Sequence, residues 1–182
     1  MSLDVYQVTS PPVARIPVEE ETPGVTSADT SRSQLLVFHV QGQRYALRIA
    51  HVLRVLPMLH VEPLPGVPEI VEGMINVAGR VVPVMRLRRR LALPEREARL
   101  SDVLVLAHAG ELLVALPADG AVGLLEPAHE PLPADDIVPG VRHIAGVVKL
   151  DDGLVLIHDL EAFLSLPERE RLVEALDRGA VP

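Results

Sequence analysis

The chain has 182 residues, a formal net charge of −8, and a composition that is 48% hydrophobic, 2% aromatic and free of cysteine. Disulfides, thiolate nucleophiles and cysteine-based metal sites are excluded, and the acidity opposes general nucleic-acid binding. No apolar run approaches the roughly 20 residues of a membrane helix. The N-terminus lacks the basic-then-apolar order of a signal peptide, so a cytoplasmic protein without membrane insertion is expected.

Residues 1–33 carry Pro11, Pro12, Pro17 and Pro23, the acids Glu19 to Glu21, and many Ser and Thr. Such a segment buries too little apolar area to offset the entropy of ordering, and it reads as a flexible acidic, proline-rich tail. From Gln34 the pattern changes to short β-rich runs. Leu35–Val40 leads through Gln41-Gly42-Gln43 into Arg44–Ile49, where Arg44 and Arg48 alternate with Tyr45, Leu47 and Ile49. The glycine between the runs supplies the positive φ of a hairpin turn. Val52–Leu59 follows, apolar at several points on both strand faces. A small barrel has one interior, so part of this run is expected at the surface. After Pro63-Leu64-Pro65, one helical turn is predicted near Pro68–Val71, then a hairpin about Ala78-Gly79, then a second helical turn near Leu87–Leu93. Gly79 permits a left-handed turn residue where a side chain costs about 1 kcal/mol or more. Asn76 either fastens that hairpin or meets a partner.

The same plan recurs. Gly42 returns as Gly110 and Pro63-Leu64-Pro65 as Pro131-Leu132-Pro133; Gly73, Gly79, Leu87 and Leu91 return as Gly146, Gly153, Leu160 and Leu164. Two copies, 34–93 and 102–166, argue for two similar small lobes, between which strands can be exchanged, because a solenoid needs three or more repeats. Asp152-Gly153 marks the second hairpin of the later copy. The expected fold class is mainly β: two small five-stranded barrels packed together, with short helices. Residues 167–182 are read as a C-terminal helix and end. Ser165-Leu166-Pro167-Glu168 fits a capping box, Leu172, Val173 and Leu176 form the apolar stripe, and Gly179 is the stop.

No catalytic constellation emerges. The seven histidines show no metal-ligand spacing, His158-Asp159 would point to opposite strand faces, and neither a G-x-S-x-G elbow nor a phosphate loop is present. Lys149 is the chain's single lysine and reads as an exposed strand residue. No cofactor, metal or catalytic residue is assigned. The basic run Arg86-Leu87-Arg88-Arg89-Arg90 reads as a solvated helix face or a contact for an acidic protein, since aromatics for base stacking are almost absent.

Gly73-Met74-Ile75-Asn76-Val77-Ala78-Gly79-Arg80-Val81-Val82-Pro83-Val84-Met85-Arg86-Leu87-Arg88 resembles the signature of the CheW family of chemotaxis coupling proteins, G-x-x-N-x-R-G-x-x-x-P-x-x-D-L-R. The resemblance runs from about Gln34 to Leu166. It implies two packed five-stranded SH3-like barrels and a non-catalytic scaffold in a two-component chemosensory pathway. The implied partners are a CheA-type histidine kinase and a methyl-accepting-type chemoreceptor. It also implies that Val52, Arg54 and Val55 meet the kinase, and that the stretch holding Gly73, Asn76, Ala78, Gly79, Arg80 and Arg86 helps to form the receptor-facing groove. Three positions depart from the family pattern. Ala78 stands for its arginine, Arg86 for its aspartate, and Arg54 where an acid is common, so an ion pair is lost and positive charge is gained. Two alternatives remain: a divergent CheW-like regulator that binds only one of these partners, and a small-ligand barrel module, for which the chain offers no site.

Overall fold

The computed structural model describes residues 34–137 and 143–179; the predicted tail 1–33 lies outside the described residues. Short strands dominate: β1 (Leu35–Val40), β2 (Gln43–Arg48), β3 (Val52–Pro57), β4 (Val71–Val77), β5 (Arg80–Met85), β6 (Val103–Ala109), β7 (Leu112–Ala118), β8 (Gly120–Leu125), β9 (Leu132–Pro133), β10 (Ile144–Leu150) and β11 (Gly153–His158). Two α-helices accompany them, α1 (Leu87–Arg90) and α2 (Leu166–Gly179). Ile49–His51 and Ala134–Asp136 each form a single 3₁₀ turn.

The strands form two sheets. One has the order β8-β1-β2-β11-β10-β9, the other β3-β6-β7-β5-β4. Each draws on both copies of the repeat. The opening hairpin β1–β2 joins the later strands, and the opening hairpin of the second copy, β6–β7, joins β3, β4 and β5. The joints match: β2 runs parallel to β11, as β7 runs parallel to β5. We call the five-stranded unit lobe one and the six-stranded unit lobe two.

Lobe one closes on itself. Beyond β3 the chain reaches Glu62, which exchanges backbone hydrogen bonds with Met74 at 2.9 and 2.8 Å. A Cβ on Gly73 would lie 2.3 Å from the Glu62 carbonyl oxygen, so glycine is required at this seam. In lobe two β9 pairs with β10 in the same way, and a Cβ on Gly146 would lie 3.0 Å from the Leu132 oxygen. The repeated Pro-Leu-Pro is therefore not equivalent in place. In the second copy it supplies β9 itself; in the first it follows the bridging residue.

The glycine correspondences also slip by one residue. Val40 pairs with Gln43 and Ala109 with Leu112, so Gly110 matches Gln41, not Gly42. Val77 pairs with Arg80 and Leu150 with Gly153, so Gly79 matches Asp152. The turns themselves differ: Gln41-Gly42 and Ala78-Gly79 have positive φ at both central positions, with Gln41 at 52° and Ala78 at 51°, whereas in the second copy Gly110 takes it in the first slot and Gly153 just after the turn. Side-chain alternation tolerates no such slip. The interior of lobe one holds Leu104, Leu106, Ala115, Ile75, Val82 and Val84; lobe two buries Leu35, Val37, Ala46, Val148, Val155 and Ile157 at the matching places.

A third and larger core lies where the lobes and α2 meet, with Phe38, Tyr45, Met85, Val105, Leu116, Phe163 and Leu172 among its members. Phe38, Tyr45, His158 and Phe163 form a chain of ring contacts there, with centroids 5.4–6.3 Å apart. The predicted stripe of α2 splits: Leu172 is fully buried, whereas Val173 is exposed. Its cap is half of the expected box. The Glu168 carboxylate accepts from the Ser165 amide at 2.8 Å, and the Ser165 hydroxyl donates to the same oxygen at 2.7 Å. The predicted helical turn near Pro68 is a simple hydrogen-bonded turn, Val71 N–H to Pro68 O. The one near Leu87 ends sooner than expected. Ala92 at φ 54° and a bond from Leu93 N–H to Arg88 O terminate it as a Schellman motif.

Candidate functional site: an aliphatic face on lobe one

β3 is an end strand of its sheet, with only β6 beside it over Val52–Pro57. The register shifts between Val52 and Arg54, a bulge that breaks the alternation of faces. Val52 is half-buried and packs on the central core. Leu53 turns outward at 52% exposure and Val55 at 36%, and Arg54 is exposed. Leu53 is the residue that sequence reasoning missed, since strict alternation from Val55 would also expose it but alternation from Val52 would not, and nothing local marks the bulge.

The β4–β5 hairpin stands at the other end of the strand order, and the stretch Leu59–Glu62 connects the two. A groove of about 370 Å³ runs between that stretch and the hairpin, lined by Leu59, His60, Glu62, Met74, Asn76 and Val81. Val81 is 53% exposed. Asn76 fastens the turn: its side-chain oxygen accepts from the Gly79 amide at 2.8 Å. Ala78, Gly79 and Arg80 are exposed at the tip, whereas Gly73 is buried in the seam and presents nothing to a partner. The structure thus places Leu53, Arg54, Val55, Leu59, Arg80 and Val81 at the surface of one closed barrel.

Arg86 sits apart, half-buried in a cleft of about 550 Å³ that also holds Glu72, Glu95 and Arg96. Burial raises the Glu72 carboxyl above its ordinary value, and the positive charge of Arg86 works against that shift. Arg86 thus shares its cleft with the acids Glu72 and Glu95.

The rest of the basic run is engaged too, which corrects its reading as a solvated face. Arg88 grips Asp119 at 2.6 and 2.9 Å, Arg89 pairs with Glu69, and Arg90 grips Glu168 at 2.9 and 3.0 Å while lying over the Phe163 ring. Arg96 bridges Asp102 and Asp119 at 2.6–2.8 Å. Hydrogen bonds from Arg96 hold the Asp102 carboxyl below its ordinary value. At Asp119 burial acts upward, but bonds from Arg88, the Gln41 amide and Arg96 outweigh it. These pairs tie the connector between the lobes to both of them.

Among the described residues no group of three or more His, Asp or Glu side chains converges as a metal site, and no helix is long and apolar enough to cross a membrane. Lys149 is exposed on β10.

A family model described as a CheW-like domain matches residues 34–168. The chain belongs to that family. Among curated relatives of this CheW-like chain, the chemotaxis protein CheW of Bacillus subtilis is 29% identical over 147 residues, 77% of this chain and 92% of the relative. The chemotaxis protein CheW of Thermotoga maritima is 25% identical, covering 76% of this chain and 93% of its own. The crystal structure of the scaffolding protein TtCheW from Thermoanaerobacter tengcongensis superposes with a TM-score of 0.66 at 22% identity, over 75% of this chain and 95% of that one. That likeness supports the expected fold of two SH3-like lobes.

Proposed function

We propose that this CheW-like chain is a non-catalytic scaffold that couples chemoreceptors to a CheA-type histidine kinase, working in the cytoplasm. The observation that carries the kinase contact is the aliphatic strip of lobe one. Leu53, Val55, Leu59 and Val81 are all outward on one small barrel, and apolar residues gathered at a surface mark a site that a partner covers. Arg54 and Arg80 rim the strip, and charges placed so guide partner choice and on-rate. Purified protein should neither hydrolyse ATP nor autophosphorylate. The deciding measurement is titration of the kinase regulatory domain with wild type and Leu53→Glu. A loss of tenfold or more in affinity, about 1.4 kcal/mol, with unchanged thermal melting supports the assignment. Full affinity in a folded variant removes this face as the interface.

The receptor contact is read onto the exposed tip of the β4–β5 hairpin. Here Arg54 and Ala78 favour a methyl-accepting-type chemoreceptor whose docking tip is more acidic than usual in the family. Arg54→Glu with Ala78→Arg should move binding toward a conventional tip. The new arginine inherits the positive φ that Ala78 already adopts, so the exchange adds little strain. Equal binding of both chains to both tips would make these positions neutral.

A further inference from the structure

We propose that the segment Ile16–Glu21 of this chain docks on the aliphatic face of lobe one and competes there with the kinase; the competition rests on the kinase assignment above, the docking does not. The segment reads Ile16-Pro17-Val18-Glu19-Glu20-Glu21, two branched aliphatic residues followed by three consecutive acids. The face offers the complement: exposed Leu53, Val55 and Val81 on strands that also carry exposed Arg54 and Arg80. Neither arginine has an ionic partner among the described residues. Glu62, in the adjoining groove, is the acid that opposes them.

The point of departure favours this target. Leu35 pairs with Arg48, and the Gln34 carbonyl accepts from the Ile49 amide at 2.9 Å. The preceding chain therefore leaves lobe two beside the 3₁₀ turn that leads into β3. Thirteen Cα-to-Cα steps, with twelve residues between, separate Glu21 from Gln34. At ~3.3 Å each they span up to about 43 Å, against about 20 Å for a six-residue strand. Among the described residues no strand lies along the outer edge of β3, so main-chain groups there can receive an extended segment.

The matching face of lobe two selects against the same segment. Gly123 stands in the register place of Arg54, Gly153 in that of Arg80 and Asp151 in that of Ala78. The two arginines of lobe one thus have no cationic counterpart there, and Asp151 offsets the exposed Lys149 that stands in the place of Asn76. Tethering supplies an effective concentration in the millimolar range, so a weak contact is enough to occupy the face.

The absence of cysteine makes the test direct, because Thr22→Cys gives the full chain one thiol for a nitroxide label. The expected result is loss of amide NMR signal at Leu53–Val55 and Arg80–Val81, with Lys149 and Leu154 unaffected. Replacing Glu19, Glu20 and Glu21 by lysine in the full chain should restore those signals and tighten binding of the kinase regulatory domain about fivefold. Broadening confined to residues next to Gln34, or spread over both lobes, overturns the docking. Broadening that passes from labelled chains to isotope-labelled chains in a mixture assigns the contact to a second copy, which also overturns it. Equal kinase affinity in the two chains, with the broadening present, overturns the competition. Binding of the kinase by neither chain sinks the kinase assignment, while the broadening still decides the docking.

Discussion

The outer faces of the two lobes share one backbone and differ in chemistry. Val55 opposite Val105 corresponds to Leu124 opposite Leu36, and Val81 opposite Asn76 corresponds to Leu154 opposite Lys149. All four aliphatic residues are outward; Leu124 is 62% and Leu154 44% exposed. The charged rim is what diverged. Arg54, Ala78 and Arg80 in lobe one face Gly123, Asp151 and Gly153 in lobe two. The interior was kept at matching places in both. Duplication thus produced two apolar faces in matching register that now differ in rim charge, and charge complementarity discriminates between partners where apolar area alone does not.

The seam glycines give the sharpest test of this equivalence. Gly73→Ala drives a Cβ to 2.3 Å from backbone that bridges the barrel, whereas at Gly146 the approach is 3.0 Å. Gly73→Ala should cost about 3 kcal/mol or more and Gly146→Ala about 1 kcal/mol. Urea unfolding of the two variants measures the difference, and equal losses would mean that the two seams are equally tight, against the geometry described.

The joint between the lobes should respond to acid. Both ring nitrogens of His158 are buried without a hydrogen-bond partner, against Tyr45 and Phe163 and near His143 and Asp159. Burial pushes its pKa down to about 4 from 6.5. The folded state therefore refuses a proton that the unfolded chain accepts below 6.5. Stability is unaffected above 6.5, falls as pH drops from 6.5 toward 4, and the loss totals about 3 kcal/mol. Unfolding midpoints across that window should show this fall in wild type and not in His158→Phe. The carboxyls of Asp102 and Asp119, held below their ordinary values, add a separate loss at lower pH still.

The matched pair Val55→Glu and Leu124→Glu compares the faces themselves. The first should weaken the kinase regulatory domain about tenfold, or about 1.4 kcal/mol, and the second by less than about twofold, with neither changing the fold. Equal effects would show that the rim charges do not separate the partners. The smallest expected effect is at the hairpin tip. Ala78 holds φ 51°, which glycine adopts freely, so Ala78→Gly should stabilise by up to about 1 kcal/mol in thermal melting.

The chain alone determined the duplication, the hairpins, the terminal helix, the dominance of strands and the family motif. Each rests on local signals: turn glycines, period-two alternation and a capping sequence act within a few residues. Arg54, Val55, Ala78 and Arg80 were legible as surface positions for the same reason. Tertiary structure decided the remainder. It exchanged the opening hairpins between the sheets, because the strand partners lie from 31 residues apart (Val84 and Ala115) to 111 (Arg44 and Val155) and no local pattern encodes them. It set the true register of the repeat, one residue away from the glycine correspondences, because buried side chains fix register while the two copies use different turns and place their glycines differently. It turned Leu53 outward through a bulge and drew Val52 onto the core. It also consumed the basic run, since Arg88, Arg89 and Arg90 find Asp119, Glu69 and Glu168 only when segments distant in the chain are brought together.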